Sequence, residues 1–240
     1  TLEWTANYYL TKDKHDMKVL AGYSYQDFTS TGFRAENSNF SSDAFTYNKL
    51  SNGTWDKNTP GQMMDSWKGR NQLAALFARV NYSYDDTYLL SASVRYEGSS
   101  KFGKDNKWGA FPAASAGWRI SNMSFMKDIR NIDDLKLRFG FGIAGRQDFD
   151  RYTALATYSG AGQWLADGQW IQVFGAGNNP NPNLGWEKSI NYNLGVDYSF
   201  FSGRLNGSVD FFLRQSKDMI YNYTAPVPPL ISSEIWMNVG

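Results

Sequence analysis

The chain has 240 residues, with 24 lysines and arginines against 23 aspartates and glutamates, one histidine and no cysteine. The formal net charge of +1 gives no field that would recruit nucleic acid or an anionic membrane surface. The lack of cysteine excludes disulfides, thiol catalysis and cysteine-based zinc sites. No run of about 18 apolar residues could form a transmembrane helix, although aromatic residues reach 17%.

Alternation of apolar and polar residues organises most of the chain. Successive side chains of a β-strand point to opposite faces, so a period of two predicts a strand with one apolar and one polar face. We predict about eight antiparallel strands of this kind. The first four cover residues 2–10, 17–28, 74–84 and 88–97. The polar stretch Thr29 to Gly69 joins the second strand to the third, and Asp85-Asp86 turns the third into the fourth.

The other four strands are predicted at 108–120, 135–143, 189–200 and 205–213. The longest connection, Gly145 to Trp186, contains the run Asn-Pro-Asn-Pro-Asn at 179–183. This run predicts a rigid turn, because proline fixes φ and asparagine can bond its own backbone. Pro112 lies inside the fifth strand and predicts a bulge or a local break there, because proline cannot donate to the strand ladder.

Long connections alternate with shorter ones, so that in an up-and-down meander the long ones share one end. Aromatic residues flank two of the short turns, namely Tyr82, Tyr84, Tyr88, Tyr198 and Phe200. Outer-membrane barrels combine short turns at one end, long loops at the other, aromatic girdles and strands with one face toward lipid. The pattern therefore predicts a transmembrane β-barrel. A soluble all-β fold shows alternation too, but its long loops need not segregate.

Small residues dominate the predicted polar face. They are Gly22, Ser24, Ser91, Ser93, Gly109, Ala113, Ser115, Gly117, Gly140, Gly142 and Gly195. A closed eight-stranded barrel fills its own interior with side chains, so a lining this small fits a wall that faces a plug or a wide lumen. We interpret the strands as a segment of a larger barrel. A self-contained small barrel of the adhesin type is the other possibility, if residues 1–240 are the whole mature protein.

Four stretches resemble the SusC/RagA family of TonB-linked outer-membrane transporters. They are LLSASVRYEGSSKFG at 89–103 with WGAFP and AGWRI after it, LKLRFGFGIAG at 135–145, NPNLGWEK at 181–188 with NLGVD at 193–197, and residues 204–219. Each stretch alone is a weak signal, but the set in this order is specific. The residues before Gly69 match only in their alternation.

The resemblance implies a barrel of about 22 strands with a plug in its lumen. Residues 1–240 would be part of this one transmembrane domain, with the plug and the TonB-contacting segment outside the chain. The implied function is import of oligosaccharides or peptides across the outer membrane, with energy supplied through TonB, lipid around the barrel and a SusD-like surface lipoprotein as partner. The alternative is a SusC-like barrel that serves as a non-transporting scaffold in an outer-membrane assembly.

Four tryptophans in the long connections are the candidate contacts to a ligand or a partner: Trp55, Trp67, Trp164 and Trp170. Exposed aromatic rings can stack on sugars or anchor a protein interface, and packing of the loops on one another explains them equally well. We predict no enzyme, no cofactor, no metal site and no nucleic-acid partner, because no nucleophile–base pair or ligand cluster is visible.

Three other motifs have simpler explanations than a functional site. The glycine pattern at 140–145 resembles a dinucleotide-binding loop, but its glycines continue the polar face of a strand and no helix start follows. His15 is predicted to be an exposed turn residue. Asp148 and Asp150 are interpreted as a charged surface loop, because a calcium site needs about six to eight oxygen ligands.

Overall fold

The computed structural model describes residues 1–54, 64–127, 129 and 131–240, and it describes side chains at all of these except 45–47. The strands in this part of the chain are Leu2–Lys12 (β1), His15–Ala35 (β2), Met64–Tyr84 (β3), Tyr88–Ser99 (β4), Trp108–Arg119 (β5), Ile132–Arg146 (β6), Tyr158–Ala166 (β7), Gln169–Ala176 (β8), Glu187–Phe200 (β9), Leu205–Lys217 (β10), Met219–Thr224 (β11) and Glu234–Val239 (β12). Short 3-10 helices lie at Asp43–Asn52, Ile120–Asn122 and Ser124–Met126. No helix within the described residues is long and apolar enough to cross a membrane.

Eight strands form one antiparallel sheet in the order β1-β2-β3-β4-β5-β6-β9-β10. This order confirms the predicted meander of eight strands and the all-β fold class. Two separate hairpins, β7–β8 and β11–β12, complete the strand inventory of the described residues. Because β9 pairs directly with β6, the β7–β8 hairpin and its flanking segments form one large excursion at the long-connection end of the sheet.

The register sorts the side chains onto two faces. One row of directly paired residues, Leu90, Ala116, Phe139, Leu194 and Phe211, crosses from β4 to β10 on what we call the apolar face. The next row, Ser91, Ser115, Gly140, Asn193 and Phe212, lies on the polar face. A strand half-buried on one side gives this alternation. Here the apolar face stays open, and Phe211 leaves 70% of its surface exposed.

The chain divides into two compact units, residues 27–71 and the remainder. Within the smaller unit, Arg70 forms an ion pair with Asp27, and the ring of Trp67 lies directly against Gly32. Its 3-10 helix is capped by Ser42, whose hydroxyl accepts a hydrogen bond from the backbone N–H of Ala44 at 3.2 Å.

The long connections contain more strand than the sequence pattern predicted. The stretch 29–69 was expected to be a polar loop, yet β2 continues to Ala35 and β3 begins at Met64. Both strands have 21 residues, about twice the 9–11 residues that a tilted membrane-spanning strand requires. Polar strands that extend beyond a bilayer lose the apolar side of the alternation, which is why the pattern missed them.

Pro112 produces no bulge in the ladder to β4, but the predicted local break is present in the ladder to β6. The register between β4 and β5 is continuous through the pair Val94 and Pro112. The ladder between β5 and β6 starts one residue later, at Ala113 and Gly142. Pro112 therefore lies where β5 has a ladder on one side, a position that tolerates the missing N–H group.

Candidate functional site

The polar face of the sheet is lined largely by small residues and has two cavities. A cavity of about 460 Å³ lies over β3, β4, β5, β6 and β9, with Asn81, Ser91, Ser115, Gly117 and Asn193 in its wall. A second cavity of about 330 Å³ continues along Ser93, Ala113, Gly142 and Asn191. Short side chains leave this room because they reach little beyond the backbone, so the strands themselves form the floor.

A fixed charge cluster borders the larger cavity. The Nε atom of Arg138 on β6 donates to Oδ2 of Asp197 on β9 at 2.8 Å, and its Nη2 atom donates to Oδ1 of Asp210 on β10 at 3.1 Å. Gly195 lies between Arg138 and Asp210 in the same cross-strand row. A Cβ atom at Gly195 would lie 2.5 Å from Oδ1 of Asp210 and 2.7 Å from Nη2 of Arg138. Glycine is therefore what lets the guanidinium of Arg138 reach across β9 to a carboxylate on β10.

A second arginine, Arg95, is held nearer the long-connection end of the same face. Arg95 donates from Nε and Nη2 to the two carboxylate oxygens of Glu97, at 2.8 and 3.1 Å. Its guanidinium carbon lies 5.7 Å from the centre of the Phe77 ring, within the range of a cation–π contact. Ion pairs with this forked geometry hold a charge in one place. The ion pairs of Arg138 and Arg95 thus give the polar face charges with a fixed orientation.

The long-connection end contains a compact aromatic core, which we call the loop core. Phe102 and Leu184 are fully buried, and Phe111, Phe149, Ala154 and Trp186 complete the cluster. The rings of Phe102 and Trp186 have centroids 4.7 Å apart, and the indole N–H of Trp186 donates to the carbonyl of Lys107 at 3.0 Å. Three loops that are distant in sequence meet in this cluster, so the loop layer is packed and ordered.

The Asn-Pro-Asn-Pro-Asn run does more than turn the chain. The side chain of Asn179 donates to the carbonyls of Ser232 and Glu234 at 2.6 and 2.8 Å, and it accepts from the N–H of Ile231 at 3.0 Å. The side chain of Asn181 donates to the carbonyl of Trp236 at 2.8 Å. We call residues 177–186 the strap, since these amides hold the β11–β12 hairpin against the loop core. The prediction of a local rigid turn missed this long-range role.

At the short-turn end, two turns are joined by an ion pair. Lys14 donates from Nζ to Oδ2 of Asp85 at 2.6 Å, and the N–H of Asp85 donates to the carbonyl of Lys14 at 2.7 Å. The hydrogen bond to Asp85, and after it the charge of that carboxylate, raise the pKa of Lys14. Neighbouring His15 is exposed, as predicted, but it begins β2 and its Nδ1 lies 2.8 Å from the hydroxyl of Tyr82.

The glycine pattern lies in β6, as interpreted from its alternation, and Asp148 and Asp150 lie in the loop after it. Throughout the residues that the structure describes, no three histidine, cysteine, aspartate or glutamate side chains are arranged as metal ligands.

Three of the four candidate tryptophans lie in the described residues, and Trp55 lies outside them. Trp164 and Trp170 belong to the β7–β8 hairpin and leave 67% and 66% of their surfaces exposed. Trp164 pairs with Ile171 and Trp170 with Leu165, so the two indoles point to opposite faces of the hairpin. The face with Trp170 also carries Tyr158, Leu165 and Phe174.

The β7–β8 hairpin itself had a sequence signal that the interpretation overlooked. Asp167-Gly168 connects two runs of mixed apolar and polar residues, and both turn residues have positive φ, at 51° and 77°. Asp-Gly between two such runs is a strong indicator of a two-residue hairpin turn. Glycines at 160 and 162 weakened the alternation of β7 and obscured the strand.

A sequence model described as TonB dependent receptor-like, β-barrel, matches residues 1–240. The chain belongs to this family. Members of the TonB-dependent receptor family are outer-membrane β-barrels. The resemblance to SusC/RagA transporters that the sequence suggested is confirmed by the relatives described next.

The chain is 36% identical over 175 residues to the TonB-dependent receptor SusC of Bacteroides thetaiotaomicron. This alignment covers 71% of the present chain and 17% of SusC. The chain is 34% identical to a TonB-dependent receptor of Formosa agariphila, over 95% of this chain and 21% of the relative. The structure is similar to that of the RagAB peptide importer in its closed-closed state, with a TM-score of 0.84 and 26% identity. That match covers 99% of this chain and 25% of the other.

The chain thus spans about a fifth of the length of the curated relatives it matches. These relatives are receptors and an importer, and they support the expectation that this chain is not an enzyme. The structural similarity also explains the open sheet, because an eight-stranded segment matches part of a larger barrel wall.

Proposed function

We propose that residues 1–240 form part of the transmembrane domain of a TonB-dependent outer-membrane importer for large nutrients, either glycan fragments or peptides. The observation that carries this proposal is the close fit of nearly the whole chain to the RagAB peptide importer. The similarity to SusC is independent support from sequence. A purely structural barrel would account for the strands, but no relative described above is named as a scaffold.

The apolar face supports contact with lipid in this proposal. Leu76, Leu90, Phe139, Leu194 and Phe211 are large, apolar and exposed on the same side of the sheet. A soluble protein of this size rarely leaves so wide an apolar surface uncovered. Stacked Tyr96 and Trp108, with centroids 5.0 Å apart, lie near the long-connection end of this face. Tyr84 and Tyr88 lie near the opposite end, so aromatic rings border the apolar band on both sides.

The polar face supports a wall that faces a plug or a substrate path. Its small side chains leave cavities above the strands, and the clusters around Arg138 and Arg95 present charges in fixed positions. Polar contacts that are already oriented need no reorganisation when a partner surface or a solute meets them. We assign this face to the lumen of the complete barrel.

We further propose that the connections Thr29–Gly69 and Gly145–Trp186 face the cell exterior and contact the substrate or a SusD-like lipoprotein. Trp55, Trp67, Trp164 and Trp170 are the proposed contact residues. The exposure of Trp164 and Trp170 on both faces of one hairpin supports contacts on two sides. TonB would supply energy to the complete receptor.

Excision of the β7–β8 hairpin tests the role of the long connection without disturbing the loop core. The N–H of Gly177 donates to the carbonyl of Thr157 at 2.8 Å, so the two ends of the excursion are already adjacent. Replacing residues 158–176 by Asn-Gly should leave insertion and thermal stability unchanged and should reduce uptake or lipoprotein binding. The control is Asp167→Asn, which keeps the hairpin and its turn geometry. Normal uptake and lipoprotein binding after excision would refute the contact role.

A cell-based measurement separates the importer from the scaffold. Cells that express the complete receptor, with or without TonB, are supplied with labelled oligosaccharides and labelled peptides of matched size. Receptor-dependent uptake that disappears without TonB supports import. A receptor whose loss changes no uptake, and that co-purifies with assembly or secretion factors, would instead favour the scaffold.

A further inference from the structure

A separate cavity of about 330 Å³ lies in the loop layer, away from the sheet wall. It is lined by the turn at residues 151–157, the strap and the start of β12. Arg151, Tyr152, Thr153, Thr157, Glu234 and Trp236 provide its functional groups. Its size is at the lower end of the range of about 300–1,000 Å³ for small-molecule sites.

The walls of this cavity are held by two asparagines whose side chains are fully used. Asn178 accepts from the N–H and the hydroxyl of Thr157 at 2.9 and 2.8 Å, and it donates to the carbonyls of Thr153 and Leu155 at 3.3 and 2.8 Å. Asn179 makes the bonds to the β11–β12 hairpin described above. An amide with both its oxygen and its nitrogen occupied has a structural role. The cavity is therefore formed before any ligand arrives.

The groups left for a ligand are rich in acceptors. The Thr153 hydroxyl donates to the carbonyl of Asp150 and the Thr157 hydroxyl to Asn178, so each can still accept a bond. Glu234 accepts from Asn222 through Oε2 at 2.9 Å, and a carboxylate has about four acceptor positions. A ligand that satisfies these oxygens must bring several donors within a small volume.

The charges and the aromatic rings narrow the ligand class further. The guanidinium of Arg151 and the carboxylate of Glu234 give the lining a net charge of zero, which favours a neutral ligand over a strongly charged one. Tyr152 is held at a φ of 67°, a rare conformation for a bulky residue. Backbone strain of this kind occurs preferentially at functional sites, where it positions a side chain. With Trp236, the Tyr152 ring gives the cavity apolar surfaces beside its acceptors.

We propose that this cavity, the strap pocket, binds one or two rings of a neutral oligosaccharide. A sugar ring has several hydroxyls that both donate and accept, and its C–H faces suit aromatic rings. A peptide backbone of the same volume has fewer donors, since each residue contributes one N–H group. The inference rests on the proposed import function and chooses the glycan class over the peptide class for this site.

Binding to the purified complete receptor tests the proposal. The probes are neutral trisaccharides of glucose, mannose, galactose and xylose, with uncharged tripeptides of similar size for comparison, and calorimetry gives the dissociation constants. Glu234→Gln keeps an oxygen for Asn222 and removes the carboxylate, and should weaken trisaccharide binding at least tenfold, since hydrogen bonds to charged groups are the strong ones. Tyr152→Asn, a residue type that tolerates positive φ, should weaken it similarly by removing the ring. Asp13→Asn, in the exposed β1–β2 turn at the short-turn end, is the matched surface control and should bind like the wild type.

Each outcome decides the question. Trisaccharide binding that both pocket variants weaken, and that Asp13→Asn leaves intact, supports the strap pocket. Binding of no trisaccharide, or equal binding by all three variants, overturns it. Tripeptide binding that is sensitive to Glu234→Gln overturns the sugar assignment. The uptake assay is independent of these results: a receptor that imports with TonB but whose pocket variants bind normally keeps its function and loses only this site.

Discussion

The attachment of the β11–β12 hairpin to the strap can be tested by changing one side chain, that of Asn179. Asn179 is 7% exposed and bonds through both its oxygen and its nitrogen. Asn179→Asp keeps the shape and the accepted bonds but removes both donors. It also places a carboxylate oxygen where the amide nitrogen was, at 2.6 and 2.8 Å from the carbonyls of Ser232 and Glu234. The substitution therefore replaces two attractions by two repulsions.

The loss of hairpin stability in Asn179→Asp can be estimated from these contacts. Each lost hydrogen bond is worth about 1 kcal/mol net, and the unsatisfied groups add about 1–3 kcal/mol. The hairpin should lose at least about 3 kcal/mol of local stability, which raises its opening equilibrium roughly a hundredfold or more. Hydrogen–deuterium exchange of peptides that cover Met219–Thr224 and Glu234–Val239 measures this change directly.

Asn183→Asp is the control for Asn179→Asp, since it makes the same charge change in the same strap on an exposed side chain. Exchange in the hairpin should remain at the wild-type rate in this control. Lowering the pH until the introduced carboxyl is protonated should restore part of the protection in Asn179→Asp, because the acid again has a donor. Equal exchange in the two variants would show that the amide bonds of Asn179 do not hold the hairpin.

Two further perturbations test contacts elsewhere. A Cβ atom at Gly103 would lie 2.1 Å from the carbonyl oxygen of Pro182. Gly103→Ala should therefore destabilise the fold by about 1–3 kcal/mol and make the loop core more sensitive to proteolysis. Gly185→Ala is the control and should have neither effect, because the nearest atom to its new Cβ would lie at 3.7 Å. Equal proteolysis of the two variants would contradict this. The pKa of Lys14 is raised above 10.5 by Asp85, so the stabilisation linked to deprotonation of Lys14 is fully present just below pH 10.5 and is lost as the pH rises through the raised value. Asp85→Asn should therefore move the acylation profile of Lys14, followed by mass spectrometry, to lower pH; an unchanged profile would refute the coupling.

The sequence predicted the sheet well where both faces have a distinct chemistry. In β4 and β9, large apolar residues alternate with small or polar ones, so the period of two located the strands and their faces. It failed in the extensions of β2 and β3 and in β7, where neither face is consistently apolar. Strand pairing there depends on backbone hydrogen bonds and on neighbours, which leave little trace in hydropathy.

The candidate site was predicted less completely than the fold. Their place in a long connection made Trp164 and Trp170 candidates, and the structure shows that both are exposed; their contact role stays a prediction. The strap pocket was not predicted, since its walls come from residues 151–157, 177–179 and 232–236, which are far apart in the chain. Likewise, the pattern around Asn179 gave a turn, but it contained nothing about a partner 53–55 residues away.

Alternation, aromatic placement and family resemblance by themselves determined that this chain is a segment of a TonB-dependent receptor barrel, because the period of side chains on a strand follows directly from backbone geometry. Tertiary structure alone decided which charges are paired across strands, which loops share the core of Phe102 and Leu184, and where the strap pocket forms. These features depend on distances between residues that are remote in sequence, and such distances are set only when the sheet register and the loop packing are complete.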